Sequence, residues 1–151
     1  MKPSPSAGIL LYRRRDAILE VLLAHPGGPY WSRQDLGSWS VPKGIAEPDE
    51  PPAAVAAREF AEETGFGVQL GGLLGVYGDP TAQTHRYPDG TVVQFVAVVF
   101  EGRAGPAVGA LAGDTTEVAW FAASELPEPL MSTDAPIIGD ALSDRSRPIV
   151  S

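Results

Sequence analysis

The chain of 151 residues has no cysteine, two methionines and two histidines. Without cysteine there is no disulfide, no thiolate metal site and no cysteine nucleophile, which accords with a reducing cytoplasm. Any metal must be held by oxygen, or by His25 and His85. Basic residues are scarce as well. Eleven Lys and Arg face nineteen Asp and Glu, a net charge of −8, and this argues against binding nucleic acid by phosphate neutralisation. Long hydrophobic runs are also missing. Ala7 to Tyr12 is too short for a signal-peptide core, and Val92 to Phe100, interrupted by Gln94, falls short of a bilayer span. The expectation is a cytoplasmic protein with neither nucleic acid nor membrane as partner.

The composition is that of an ordinary folded domain, 44% apolar and 20% charged. One domain of this length buries roughly two thirds of the surface its unfolded chain exposes. Two apolar runs, Ala7 to Tyr12 and Ile18 to Ala24, flank a charged segment from Arg13 to Asp16, so they read as a hairpin with the arginines in a solvated turn. "GGPYWSRQDLGSW" reads as a loop, and "SWSVPKG" as a short strand stopped by Pro42. Pro51 and Pro52 suit the first turn of a helix capped by Asp49 or Glu50, running to about Thr64 and ending at Gly65. Its packed stripe is expected at Ala53, Ala56, Ala57, Phe60 and Thr64. Strands follow in "FGVQLGGLLGVYGDP" and "TVVQFVAVVFEG", joined by a turn at "HRYPDG" marked by Pro88, Asp89 and Gly90. "GRAGPAVGALAGD" reads as a loop and "TEVAWFAA" as a strand. "DAPIIGDALS" reads as a final helix capped by Ser132 or Thr133, before a polar tail.

The helix carries an unusual concentration of charge. In "REFAEETG", Glu59, Glu62 and Glu63 stand at i, i+3 and i+4, so their carboxylates share one face within a turn of each other. Like charges so placed repel by a few tenths of a kcal/mol per pair unless a cation lies among them. Hard divalent cations take oxygen ligands of this kind.

Gly44 is followed after five residues by Glu50, and after seven more by Arg58-Glu59; Phe60, Ala61, Glu62, Glu63, Thr64, Gly65 and Phe66 complete the pattern. With nine constrained positions in 23 residues, the stretch resembles the box of the Nudix hydrolases. The likeness extends to "SWSVPKG", "GVYGDP", "YPDG" and "TEVAWF". It implies an α/β fold, an α/β/α sandwich on a mixed sheet with the box helix on one face and the C-terminal helix on the other. It also implies Mg²⁺- or Mn²⁺-dependent hydrolysis of the diphosphate linkage in a nucleoside diphosphate derivative such as ADP-ribose, a nucleotide sugar or a nucleoside triphosphate. Alternatives are a diadenosine polyphosphate or damaged-nucleotide hydrolase, and a non-catalytic nucleotide-sensing module. The partner is a small nucleotide, and the protein is a monomer or homodimer. "WSVPKG" points to the diadenosine polyphosphate branch, whereas "GVYGDP" and "YPDG" point to ADP-ribose-type members.

The resemblance assigns roles residue by residue. Glu59, Glu62, Glu63 and the Gly44 carbonyl are metal ligands, with Glu59 or Glu62 nearest the attacking water. Arg58 holds one of these carboxylates, or Glu50, in its binding rotamer. Glu50 joins the site or is a helix-start charge favoured by the dipole. Glu117 is a further carboxylate ligand or base, or a solvated strand residue. Lys43 meets a phosphate or is a solvated loop lysine. Arg86 and Tyr87 meet phosphate and base, or decorate a turn. Tyr30, Trp31 and Trp39 offer aromatic faces for a nucleobase, Trp39 alternatively lying in the core. Asp134 reads the base or is a helix N-terminal charge. One departure from the common pattern is Asp49, where a glycine usually precedes the box glutamate.

Overall fold

The two apolar runs form β1 (Ser4–Arg15) and β2 (Ile18–Pro26), an antiparallel pair in register from Tyr12↔Val21 to Arg15↔Ile18. Their turn is Asp16-Ala17, with φ of 52° and 65°. In the computed structural model, residues 4–26, 39–87, 89–109 and 115–151 are described. Tyr30, Trp31, Pro88 and the end of the Gly/Ala-rich segment lie outside them. The arginines, expected in the turn, end β1 instead; Arg14 and Arg15 are solvated as expected. Arg13 is half-buried, its Nε 2.8 Å from Glu20 and its guanidinium 4.0 Å from the centre of the Trp120 ring.

The remaining elements are β3 (Lys43–Ile45), α1 (Pro52–Thr64), β4 (Phe66–Tyr77), β5 (Thr84–Arg86), β6 (Val92–Ala107), β7 (Thr115–Ala122), α2 (Ala135–Ala141) and β8 (Ile149–Val150). The mixed sheet runs β7-β2-β1-β6-β4-β8, with β3 on β1 and β5 on β6. β1 and β6 are parallel, from Ser4↔Phe95 to Leu11↔Gly102.

Period-two alternation sorts β1 between two cores. Ala7, Ile9 and Leu11 pack with Val55, Ala56 and Phe60 of α1. Leu10 packs on the other face with Val21, Leu23, Leu74, Ile137 and Ile138, the last two from α2. The expected α/β/α sandwich is thus the observed one. Each fully buried side chain of this size contributes roughly 1.5–3 kcal/mol, and the two layers fix α1 over the β1 end that carries β3.

Several local expectations are corrected. β3 starts after Pro42 instead of stopping there, because Pro42 needs no N–H at the entry and its carbonyl accepts Ile9 N–H at 3.1 Å. α1 has Pro51 at its N-cap without a side-chain bond; Glu50 is drawn to Arg58 instead. The buried stripe of α1 holds Val55, Ala56, Phe60 and Thr64, while Ala53 and Ala57 are only half-buried. Gly65 ends the helix as expected, at φ 77° with its N–H on Ala61 O at 2.9 Å. Thr84–Arg86, expected in a loop and turn, is a strand because β6 offers it a partner edge at Val92 to Gln94.

Residues 102–107, read as loop, continue β6 because β4 pairs with them up to Phe66↔Ala107. The polar tail contains β8, whose Ile149 is buried and which pairs parallel to Gly75 and Val76. α2 is shorter than expected and is not capped by Ser132 or Thr133; its N-cap residue is Asp134, whose side chain makes no capping bond.

Candidate active site

The box loop returns β3 to β1, with Gly8↔Lys43, Ala7↔Gly44 and Ser6↔Ile45 opposed. This lays Gly44 directly on α1. A Cβ at Gly44 would fall inside the Glu59 carboxylate, so only glycine lets the strand backbone and that side chain meet so closely. Before α1 the chain turns through Asp49 at φ 63°. That left-handed geometry accounts for the glycine common at this position, and aspartate is among the residues that tolerate it.

Arg58 binds the carboxylates into one network. It donates to Glu50 through Nε and Nη2 at 3.0 and 2.9 Å, a two-bond fork, and through Nη1 to Glu59 at 2.9 Å. Glu62 lies 3.8 Å from Nη1. The bond from Arg58, assisted by the Glu47 N–H at 3.1 Å, holds the Glu50 carboxyl below its ordinary range. Burial acts in the opposite direction on the other two. It raises Glu59, with Arg58 opposing. It pushes Glu63 up to about 8, against the charge and backbone N–H of Lys43. Desolvation thus outweighs the nearby cations, Arg58 for Glu59 and Lys43 for Glu63.

A second anchor joins β3 to α2. The Asp134 carboxylate is fully buried, accepts the Val41 N–H at 2.9 Å and is ion-paired with Lys43 Nζ. Gln83 Nε2 donates to Thr133 O at 2.9 Å beside it. His85 faces the same pair: burial depresses its imidazole, Asp134 opposes that and Lys43 adds to it. Lys43 and Asp134 carry separate roles in the sequence pattern, which does not link them. The pair spans 91 positions, and no local pattern announces a contact of that separation. Gln83 and His85 owe their place to β5, itself missing from the sequence reading.

The other candidates lie apart from this cluster. Trp39 packs on the α2 core, edge-on to His25 at 4.9 Å and Phe121 at 4.8 Å. Glu117 is exposed opposite His25 and alternates with Val118 and Trp120, which pack towards α1. No ion pair joins it to α1 among the described residues. Arg86 is exposed at the end of β5, with Nη1 3.4 Å from Gly90 O. The Tyr87 ring meets that of His85 edge-on at 4.7 Å.

Among the described residues no three His, Asp or Glu side chains stand gathered as a metal site; Arg58 engages the α1 carboxylates. The donors nonetheless suit a hard divalent cation. They are all oxygen, Gly44 leaves Glu59 free to lie against the strand, and Glu59 and Glu63 are half-buried carboxyls whose desolvation outweighs the opposing charges of Arg58 and Lys43. No helix among the described residues is long and apolar enough to cross a membrane.

The NUDIX domain family model matches residues 2–140. The chain therefore belongs to the Nudix family. A MutT-like protein of Streptomyces ambofaciens is 34% identical over 110 residues, a match covering 73% of this chain and 64% of that relative. The chain thus aligns with less than two thirds of that relative's length. Among solved structures, a MutT NUDIX hydrolase from Burkholderia pseudomallei superposes with a TM-score of 0.68 at 24% identity, covering 93% of this chain and 98% of the other. An ADP-ribose pyrophosphatase from Streptococcus suis gives 0.67 at 17% identity, covering 95% and 96%.

Proposed function

We propose that the protein is a divalent-metal-dependent pyrophosphohydrolase that cleaves the diphosphate linkage of a small nucleoside diphosphate derivative. The observation that carries this reading is the seating of the Glu59 carboxylate on Gly44, next to Glu63, whose carboxyl burial pushes up to about 8. Family membership and the names of the relatives support the same class. Gly44 O, Glu59, Glu62 and Glu63 would hold Mg²⁺ or Mn²⁺, which would screen the diphosphate and acidify the attacking water.

The chain's own residues do the rest. Arg58 fixes the rotamer of Glu59 from behind, anchored by its two bonds to Glu50. Glu59 or Glu62 takes the proton of the water as its oxygen bonds to phosphorus and the anhydride P–O bond breaks. Lys43, held by Asp134, supports β3 and with it Gly44. Arg86 and Tyr87, at the end of β5, meet the substrate's phosphate and base.

The test is a panel of nucleoside diphosphate derivatives, including ADP-ribose, nucleotide sugars, nucleoside triphosphates and diadenosine polyphosphates, with products identified. Hydrolysis should stop in EDTA and return with Mg²⁺ or Mn²⁺. Glu59→Gln should lower kcat/KM by about 10³-fold, on the order of 4 kcal/mol, while binding of the best substrate persists. Full turnover in metal-free buffer would refute the mechanism. Tight binding without turnover, equal in wild type and Glu59→Gln, would instead establish a sensing module.

A further inference from the structure

At the end of the sheet remote from Gly44, two paired strands part. β1 and β6 are hydrogen-bonded only as far as Leu11↔Gly102. Beyond that point β1 continues with β2, and β6 with β4. The V between the two ribbons is a cavity of about 970 Å³, at the upper end of the roughly 300–1,000 Å³ of small-ligand sites. α2 ends at Ala141, so its segment from Leu142 to Asp144 lines one side of the opening without closing it.

Strand alternation sets the chemistry of the walls. Leu10 and Val99 pack towards α2, so Tyr12 and Arg14 on β1, and Glu101 and Arg103 on β6, project to that same face. Five charged residues line the cavity: Arg13, Arg14, Glu101, Arg103 and Asp144. Arg13 is engaged by Glu20, and Glu101 accepts Tyr12 O–H at 3.1 Å and Arg147 Nε at 3.2 Å. Among the described residues Arg14, Arg103 and Asp144 have no ion pair. Two free guanidiniums, one on each ribbon, thus oppose a single free carboxylate in a protein of net charge −8. Around them lie Leu19, Leu142 and Leu70, the last 36% exposed.

We propose that this cleft is a second binding site, separate from the Gly44 cluster, for a small organic anion. Its phosphate or carboxylate head is held by Arg14 and Arg103, whose planar forks suit either group. Its aromatic or aliphatic body lies on Leu19, Leu70 and Leu142. If the arginines instead serve only to keep open strand edges from pairing with other chains, no saturable site exists.

The experiment titrates the ¹⁵N-labelled full chain, in EDTA and at low salt, with 1-naphthyl phosphate and, separately, 1-naphthoate. Inorganic phosphate and 1-naphthol test the head and the body alone. Saturable shifts of the Arg14, Leu70 and Arg103 amides are expected, with each fragment at least about tenfold weaker than the whole molecule. Whichever of phosphate and carboxylate binds better identifies the head. The Arg14→Gln/Arg103→Gln variant should lose at least about tenfold in affinity while keeping wild-type thermal stability and hydrolysis. Non-saturating shifts, shifts confined to Gly44 and α1, or unchanged affinity in the variant would overturn the proposal.

Discussion

Replacing Gly44 with alanine adds one methyl group where the Glu59 carboxylate already lies. The backbone does not resist the change, since Gly44 sits in β3 opposite Ala7 and is not among the positive-φ residues. Alanine also restricts the unfolded chain, which stabilises by about 0.4–1 kcal/mol where the native conformation suits it. Swinging Glu59 aside strains its rotamer by about 0.5–1.5 kcal/mol. These terms nearly cancel, and at roughly 2–4 °C per kcal/mol for a chain of this size the Tm should move by only a few degrees. The site should suffer much more. A displacement of about 1 Å at a reacting centre costs on the order of 10²-fold in rate. Scanning calorimetry of the metal-free protein and steady-state hydrolysis of the best panel substrate measure the two effects side by side. Wild-type kcat/KM in Gly44→Ala would show that Glu59 does not work from its place against the strand. A fall in Tm beyond about 10 °C would show that Gly44 serves the fold and not the site.

Other outcomes follow from the buried groups. Lys43→Met leaves the Asp134 carboxylate buried without its cation and should cost about 3–5 kcal/mol in urea unfolding. Asp134→Asn keeps an acceptor for the Val41 N–H but strands the Lys43 charge; it should be destabilising by a similar order, and a neutral result in both variants would deny the anchor its role. Glu63 is raised in the folded protein to about 8, so between its unfolded and folded pKa the native state binds the extra proton. Stability of the metal-free protein from this group is full at low pH and is lost as pH rises through about 8. Denaturation from pH 5 to 9 should therefore show a decline that Glu63→Gln removes. Deprotonation also means that Mg²⁺ or Mn²⁺ binding near pH 7 releases protons, visible as a buffer-dependent heat in calorimetry.

What could be read from the sequence was local. The spacing of Glu59, Glu62 and Glu63, the stop at Gly65 and the pairing of the first hairpin are set by neighbours within a few positions and appear where the pattern puts them, although the hairpin's turn falls later, at Asp16-Ala17. Glu50 suits a cap or a site role, and it does not cap α1 because the two-bond charged fork from Arg58 outweighs a single capping bond. The sequence phase of α1 leans toward Ala53 because alanines flank Val55 on both sides and carry little directional signal, whereas the buried stripe runs through Val55. β5, β8 and residues 102–107 became strands only because distant edges were available to pair with them. Asp134 was legible as a polar residue before a helix, but its partners Val41 and Lys43 lie in β3 and the residues leading into it.

This division between near and far bears on the order of folding. Gly44 and Glu59 are close in the chain and share β1 as their support, so their meeting closes only a short loop. The tie from Lys43 to Asp134 closes one of 91 positions, and it must wait until β6 and β7 have been laid down, because α2 rests on the sheet they complete. Loop closure of that length is entropically costly, and long-range pairings form slowly. Loop-closure entropy therefore favours forming the acidic half of the cluster before the Lys43 anchor.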